Sequence, residues 1–136
     1  MARGRDAAGV LVVAESTGRV LLALRSAEVR NPGTWSIFGG GIDADESPEE
    51  AASRELFEEA GLDYDERDFR LIHERERGGG TYYTFAILLP KEVRVRLNFE
   101  SEDSGWFDLD DLPEPLHAGA EALFSEVDVE AILDEW

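Results

Sequence analysis

The chain has 136 residues, enough for one domain with its own core and too few for a second. Its 31 acidic residues against 13 basic ones give a formal charge of −18, so the surface should repel nucleic-acid backbones and polymeric nucleic acid is not an expected partner. The absence of cysteine excludes a disulfide framework and a thiolate metal site, and the longest apolar run near the start, Val10 to Ala14, is too short for a membrane span or a signal-peptide core. The cytoplasm is therefore the expected compartment.

Met1 to Ala8 is small, polar and basic and is expected to fray. Gly9 to Ala14 and Val20 to Leu24 are apolar, β-rich runs separated by a turn at Thr17-Gly18, which predicts a hairpin in the main sheet. Arg25 follows at a strand end, where it either meets a substrate phosphate or pairs with one of many surface acids. Asn31-Pro32-Gly33 is a turn signal, so Ser26 to Gly33 is an exposed loop in reach of a substrate. Trp35 to Phe38 reads as a short strand entering Gly39-Gly40-Gly41, where missing side chains let backbone groups approach a metal or phosphate. Trp35 and Phe38 are candidates both for stacking on a nucleobase and for the core.

Ser47 can cap a helix whose first residue is Pro48. Glu50 completes a capping box, and Gly61 suits the left-handed residue past the end, so the helix spans Pro48 to Ala60. At 100° per residue Glu55, Glu58 and Glu59 share one face, beside an apolar stripe of Ala52, Leu56 and Ala60. Like charges at i and i+4 repel, and a hard divalent cation with oxygen ligands would compensate. After an acidic connector, Phe69 to Arg77 and Thr81 to Leu89 read as strands joined by Gly78 to Gly80. Tyr82 and Tyr83 point to opposite faces, so one packs in the core and the other reaches a pocket; Tyr83 is assigned to the pocket. Val93 to Phe99 alternates like a half-buried strand and leads through an acidic loop to Trp106-Phe107. Ala118 to Trp136 reads as one closing amphipathic helix. His73 and His117 are assigned structural places.

Gly40, Glu46, Arg54, Glu55, Leu56, Glu58, Glu59, Gly61 and Leu62 stand at the spacing of the Nudix box, a match expected by chance at roughly one in 10⁵ from residue frequencies. On these residues the chain resembles the Nudix hydrolases, and Glu102 to Pro113 is similar to the family's stretch in which an acid precedes Trp-Phe. The resemblance implies an α/β fold, an α/β/α sandwich around a mixed β-sheet, forming a single domain over residues 1–136. It implies a pyrophosphohydrolase that cleaves a nucleoside diphosphate linked to another group. Mg²⁺ (or Mn²⁺) would be held by Glu55, Glu58, Glu59 and the carbonyl of Gly39. Arg54 would orient the carboxylates, and Glu46 would hold the loop or an outer metal. The proton acceptor would be Glu55 or an acid of the later loop, Glu100, Glu102 or Asp103, with Glu102 preferred.

The context of Trp35 to Gly41 is similar to enzymes that clear purine nucleoside triphosphates, including oxidised dGTP. Leu21 to Ser26 with Arg30, Gly33 and Phe38 partly resembles the signature of coenzyme A diphosphatases but lacks its threonine and proline. A nucleoside triphosphate is the expected substrate, with coenzyme A second and a non-catalytic nucleotide-sensing domain as the reading of another class. The expected partners are a small-molecule nucleotide and, at most, a second copy of the chain.

Overall fold

The computed structural model describes residues 6–136, in the order β1 (Ala7–Ala14), β2 (Val20–Arg25), β3 (Trp35–Ser36), β4 (Phe38–Gly41), α1 (Pro48–Ala60), β5 (Arg70–Arg77), β6 (Gly80–Leu89), β7 (Ser101–Phe107), α2 (Ala118–Glu126) and α3 (Val129–Asp134). A 3₁₀ turn, Glu66–Asp68, links α1 to β5. The strands form a seven-stranded mixed sheet in the order β3-β2-β1-β6-β5, with β4 on β1 and β7 on β2.

β1 is the axis of this arrangement. All eight of its residues are buried, as expected for an apolar run covered on both faces. It pairs in parallel with β6 along its whole length. On its other edge the first half pairs with β4 and the second half with β2, both antiparallel. Its alternate side chains divide the core into two. Ala8, Val10 and Val12 pack with Phe38, Leu56, Phe85 and Ile87 beneath α1. Leu11 and Val13 pack with Leu22, Leu123 and Val129 on the face covered by α2 and α3. This is the expected α/β/α sandwich, with period-2 alternation assigning each residue its layer.

α1 has the expected limits. The Ser47 side chain accepts the Glu50 N–H, the Glu50 side chain accepts the Ser47 N–H, and Gly61 takes φ 70°. Fully burying Leu56 on the inward face stabilises the docked helix by about 1.5–3 kcal/mol.

Other expectations are corrected. The fraying expected through Ala8 fails at Ala7 and Ala8, which are buried in β1, while Met1 to Arg5 lie outside the described residues. The strand expected over Trp35 to Phe38 is two strands, and the second runs on through Gly39-Gly40-Gly41. These glycines form most of β4, paired residue by residue with Ala7 to Gly9. Val93 to Phe99 joins no ladder, although Val93, Val95 and Leu97 pack half-buried on the α1 side of the core and the Arg96 N–H donates to the Ala60 carbonyl at 2.8 Å. Its alternation reported half-burial and not strand pairing. The closing helix is two helices, because Asp128 accepts the Ala131 N–H and starts α3 afresh. No helix among the described residues is long and apolar enough to cross a membrane.

Candidate functional site

Arg54 organises the acidic face of α1. Its guanidinium grips Glu46 bidentately, with Nε 2.6 Å from Oε2 and Nη2 2.9 Å from Oε1. Nη1 donates to Glu55 at 3.0 Å and to Glu58 at 3.2 Å, and Nη2 donates to the Gly41 carbonyl at 2.9 Å. One planar fork thus ties the loop before α1, the helix face and the end of β4 together. Glu46 also accepts the Asp43 N–H at 2.9 Å, so both of its oxygens serve the loop and Arg54. The Arg54 bond holds the Glu46 carboxyl below its ordinary value, and Glu46 in turn raises Arg54.

Glu59 lies deeper, with 6% of its surface exposed. Its Oε1 accepts the Gly39 N–H at 3.2 Å, while Oε2 is buried without a hydrogen-bond partner. Burial first, then the adjacent Glu55 carboxylate, then the charge of Glu100 push its carboxyl up to about 10. In an antiparallel ladder the N–H and C=O of one residue face the same side. The Gly39 amide reaches Glu59, so its carbonyl also faces the free edge of β4, as does the Gly41 carbonyl that meets Arg54. Gly40 leaves the room for Glu55, since a Cβ there would stand 2.6–2.7 Å from that carboxylate.

The residues present fit a hard divalent cation. The donors are all oxygens, one buried carboxylate oxygen is orphaned, and the crowded negative charge favours protonation where no cation shares it. Among the described residues no three such side chains already converge as a ligand set. Arg54 holds Glu55 and Glu58 instead, so a cation competes with it for them.

A cleft of about 550 Å³ opens on the α2 side of the sheet, floored by Ala7, Gly39, Gly41, Tyr82 and Thr84. Arg25, Arg30, Arg75, Arg77, Glu100 and His117 stand around it. Tyr82 fits because Gly9 and Gly39 carry no side chain: a Cβ at either would lie 2.4–2.6 Å from its hydroxyl. Burial first, then Glu59, push the Tyr82 phenol up to about 12, so it stays a neutral donor. His117 caps α2, its Nδ1 accepting the Gly119 N–H at 3.1 Å, and burial followed by Arg25, Arg77 and Arg75 lowers its pKa. Other clefts, such as the one of about 530 Å³ beside α3, lie away from the α1 carboxylates and have no basic lining.

Glu55, Glu58, Glu59, Arg54 and Gly39 are thus brought together, and Arg25 lines the adjoining cleft. Four expected contacts fall elsewhere. Phe38 is 1% exposed in the core beneath α1 and presents no ring to a base. Trp35 packs edge-on against Phe107, ring centres 5.1 Å apart, and does not line the cleft. Tyr83 pairs with Ala8 and packs on the α1 side, so the tyrosine in the cleft is Tyr82. Glu102 is exposed on β7 outside the cleft, whereas Glu100 lines it and acts on Glu59. Sequence reasoning also missed Arg75 and Arg77, although the alternation of His73, Arg75 and Arg77 along β5 places them on one face.

The NUDIX domain profile matches residues 3–127. "CTP pyrophosphohydrolase" of Escherichia coli (strain K12) is 35% identical over 60% of this chain and 60% of its own length. "Oxidized purine nucleoside triphosphate hydrolase" of Danio rerio is 32% identical over 76% and 67%. The crystal structure of a Nudix hydrolase from M. smegmatis, RenU, superposes with a TM-score of 0.76 at 27% identity, covering 96% of this chain and 86% of that one. The chain spans 27–60% of the length of the first curated relatives it matches, several of them RNA pyrophosphohydrolases. A profile that covers nearly the whole chain, on a fold that gathers the box residues at one helix face and one glycine strand, makes this protein a member of the Nudix family.

Proposed function

We propose that this domain is a metal-dependent pyrophosphohydrolase whose substrate is a nucleoside triphosphate. The observation that carries the reading is the orphaned, buried Oε2 of Glu59, packed against Glu55 at the edge of an arginine-lined cleft. The two relatives compared above are named for nucleoside triphosphates, an oxidised purine among them, which supports this substrate class.

Glu55, Glu58, Glu59 and the Gly39 carbonyl would hold Mg²⁺ or Mn²⁺, which when bound neutralises diphosphate charge and makes a bound water more acidic. Arg54 keeps Glu55 and Glu58 turned toward β4 and fixes the Glu46 loop over them. Arg25 is placed to meet phosphate oxygens, its Nε already anchored on the Arg30 carbonyl at 2.7 Å. Water attacks one phosphorus, the bridging P–O bond breaks, and a carboxylate takes the water's proton. Glu100 is better placed for that proton than Glu102, because it lines the cleft; Glu55 is the other candidate.

The test is turnover of a panel of nucleoside triphosphates and nucleotide conjugates with Mg²⁺ or Mn²⁺, with products identified. Hydrolysis of a triphosphate, abolished by EDTA, supports the reading. No turnover of any compound, together with tight nucleotide binding, overturns it in favour of a sensor.

A further inference from the structure

One polar group on the floor of the cleft has no use within the fold. The Tyr82 hydroxyl makes no hydrogen bond among the described residues, and the ring that carries it is covered by Arg77, whose guanidinium carbon lies 5.2 Å from the ring centre. Among the described residues the fully buried side-chain atom that lacks a partner is Glu59 Oε2, so the Tyr82 oxygen opens on the cleft. Phenylalanine would fill the same hollow without a donor to desolvate. The hydroxyl is therefore a cost to the fold unless a ligand engages it.

The chain makes room for this oxygen at two positions. Tyr82 stands on β6, and β1 separates β6 from β4, so the side chain must lie across β1 to span two strand spacings, about 10 Å, toward the glycine strand. Its oxygen rests over Gly9 and Gly39, which face each other in the ladder. A Cβ would stand 2.4 Å from it at Gly9 and 2.6 Å at Gly39, so a side chain at either position would displace the hydroxyl. Gly39 is also the residue whose amide holds Glu59 and whose carbonyl faces the free edge of β4. Of the charged groups acting on the phenol, Glu59 comes first, ahead of Arg77, Glu55 and Arg25. The donor thus lies beside the oxygens that fit the cation, on the face of the sheet where the cleft opens.

Building on the proposed function, we infer that the Tyr82 hydroxyl donates a hydrogen bond to a non-bridging oxygen of the substrate's phosphate chain and fixes that chain over Gly39. A phenol is neutral at pH 7 and donates, so its partner is an acceptor. The charged oxygens of a phosphate chain are the strongest acceptors a nucleotide offers, and a hydrogen bond to an ionised acceptor is roughly twice as strong as one between neutral groups. Glu59 does not take this place, since its Oε1 is occupied by the Gly39 N–H and its Oε2 has no partner. Beside a divalent cation a neutral donor also has an advantage over a guanidinium, because it holds a phosphate oxygen without repelling the ion. Arg25 supplies charge to the same chain and Tyr82 supplies direction.

The experiment is Tyr82→Phe in the full chain, which removes one oxygen and keeps the ring. Calorimetric titration in Mg²⁺ with non-hydrolysable methylene analogues of ATP and of CTP should show the variant binding both about 10- to 100-fold more weakly than wild type, by the same factor for each base. Turnover of ATP and CTP should fall at least as far. Mn²⁺ affinity without nucleotide should be unchanged, and Tm should be equal or higher, because the variant loses only an unpaired donor. Tyr83→Phe, on the α1 side of the sheet, should alter none of these. Equal analogue affinity in wild type and Tyr82→Phe overturns the inference, as does a loss confined to one base, which would place the hydroxyl on the base, or a weaker hold on Mn²⁺, which would place it in the metal site. Turnover separates the two claims. Wild type that binds the analogues and hydrolyses neither nucleotide overturns the proposed function alone, since the affinity ratio still reads the hydroxyl. Hydrolysis with no such ratio overturns this inference alone, and failure of wild type to bind either analogue overturns both.

Discussion

Replacing Glu59 by Gln should make the metal-free protein more stable and remove its stabilisation by metal. In EDTA the unfolded chain ionises Glu59 above its ordinary value of 4.5, whereas the folded protein holds the proton up to about 10. The folded state thus binds the extra proton, so the contribution of this group is fully present below pH 4.5 and is lost as pH rises toward 10. At about 1.36 kcal/mol per pH unit, the loss accumulated by pH 7 is about 3 kcal/mol, whatever the folded value above 7. Gln keeps the shape, can accept the Gly39 N–H, and puts an uncharged amide where Oε2 has no partner. For a domain of this size the gain corresponds to a rise in Tm of roughly 10 °C. Scanning calorimetry in EDTA should show that gap at pH 7 and its closure near pH 4.5. Millimolar Mg²⁺ at fixed ionic strength should then raise the wild-type Tm and leave the variant unmoved. A variant less stable than wild type in EDTA at pH 7, or a gap independent of pH, would refute the argument that burial and crowding of this carboxylate oppose folding.

Adjacent glycines should respond differently to alanine. At Gly39 a Cβ would meet the Ala8 carbonyl at 2.6 Å and the Gly9 Cα at 2.7 Å, so backbone must move and thermal unfolding should show a loss of roughly 3 kcal/mol or more; at Gly40 the nearest atoms are those of the Glu55 carboxylate, a side-chain end that can shift, so the fold should survive while turnover falls more than tenfold. Salt should stabilise the whole chain: with a formal charge of −18, raising NaCl in EDTA from 0.01 to 1 M shortens the screening length from about 30 to about 3 Å and should lift Tm by several degrees. A flat or falling NaCl curve would refute the argument that self-repulsion opposes folding.

The parts legible in the sequence were those fixed by local chemistry. The Ser47 to Gly61 helix carries both of its own caps, and the turn at Thr17-Gly18 announces the antiparallel pairing of β1 with β2. What depended on a distant partner was not legible. Gly39 to Gly41 form a strand only because Ala7 to Gly9 offer a ladder, and Val93 to Phe99 has the pattern of a strand with no ladder to join. The same limit applies to the aromatic residues: whether Phe38 stacks on a ligand or fills the core, and whether Tyr82 or Tyr83 faces the cleft, depends on which side α1 covers. The basic stripe of β5 was visible as alternation, but that α2 begins beside it was not.

The central claim is that the α1 carboxylates hold the metal that the reaction needs. Electron paramagnetic resonance of Mn²⁺ titrated into the protein without nucleotide reads this directly, because bound ion loses the sharp signal of free Mn²⁺. Wild type should bind Mn²⁺ in competition with Mg²⁺, while Glu58→Gln and Glu59→Gln, folded by circular dichroism, should each weaken binding more than tenfold and lower turnover with it. Unchanged Mn²⁺ affinity in both variants would contradict the account and place the metal elsewhere.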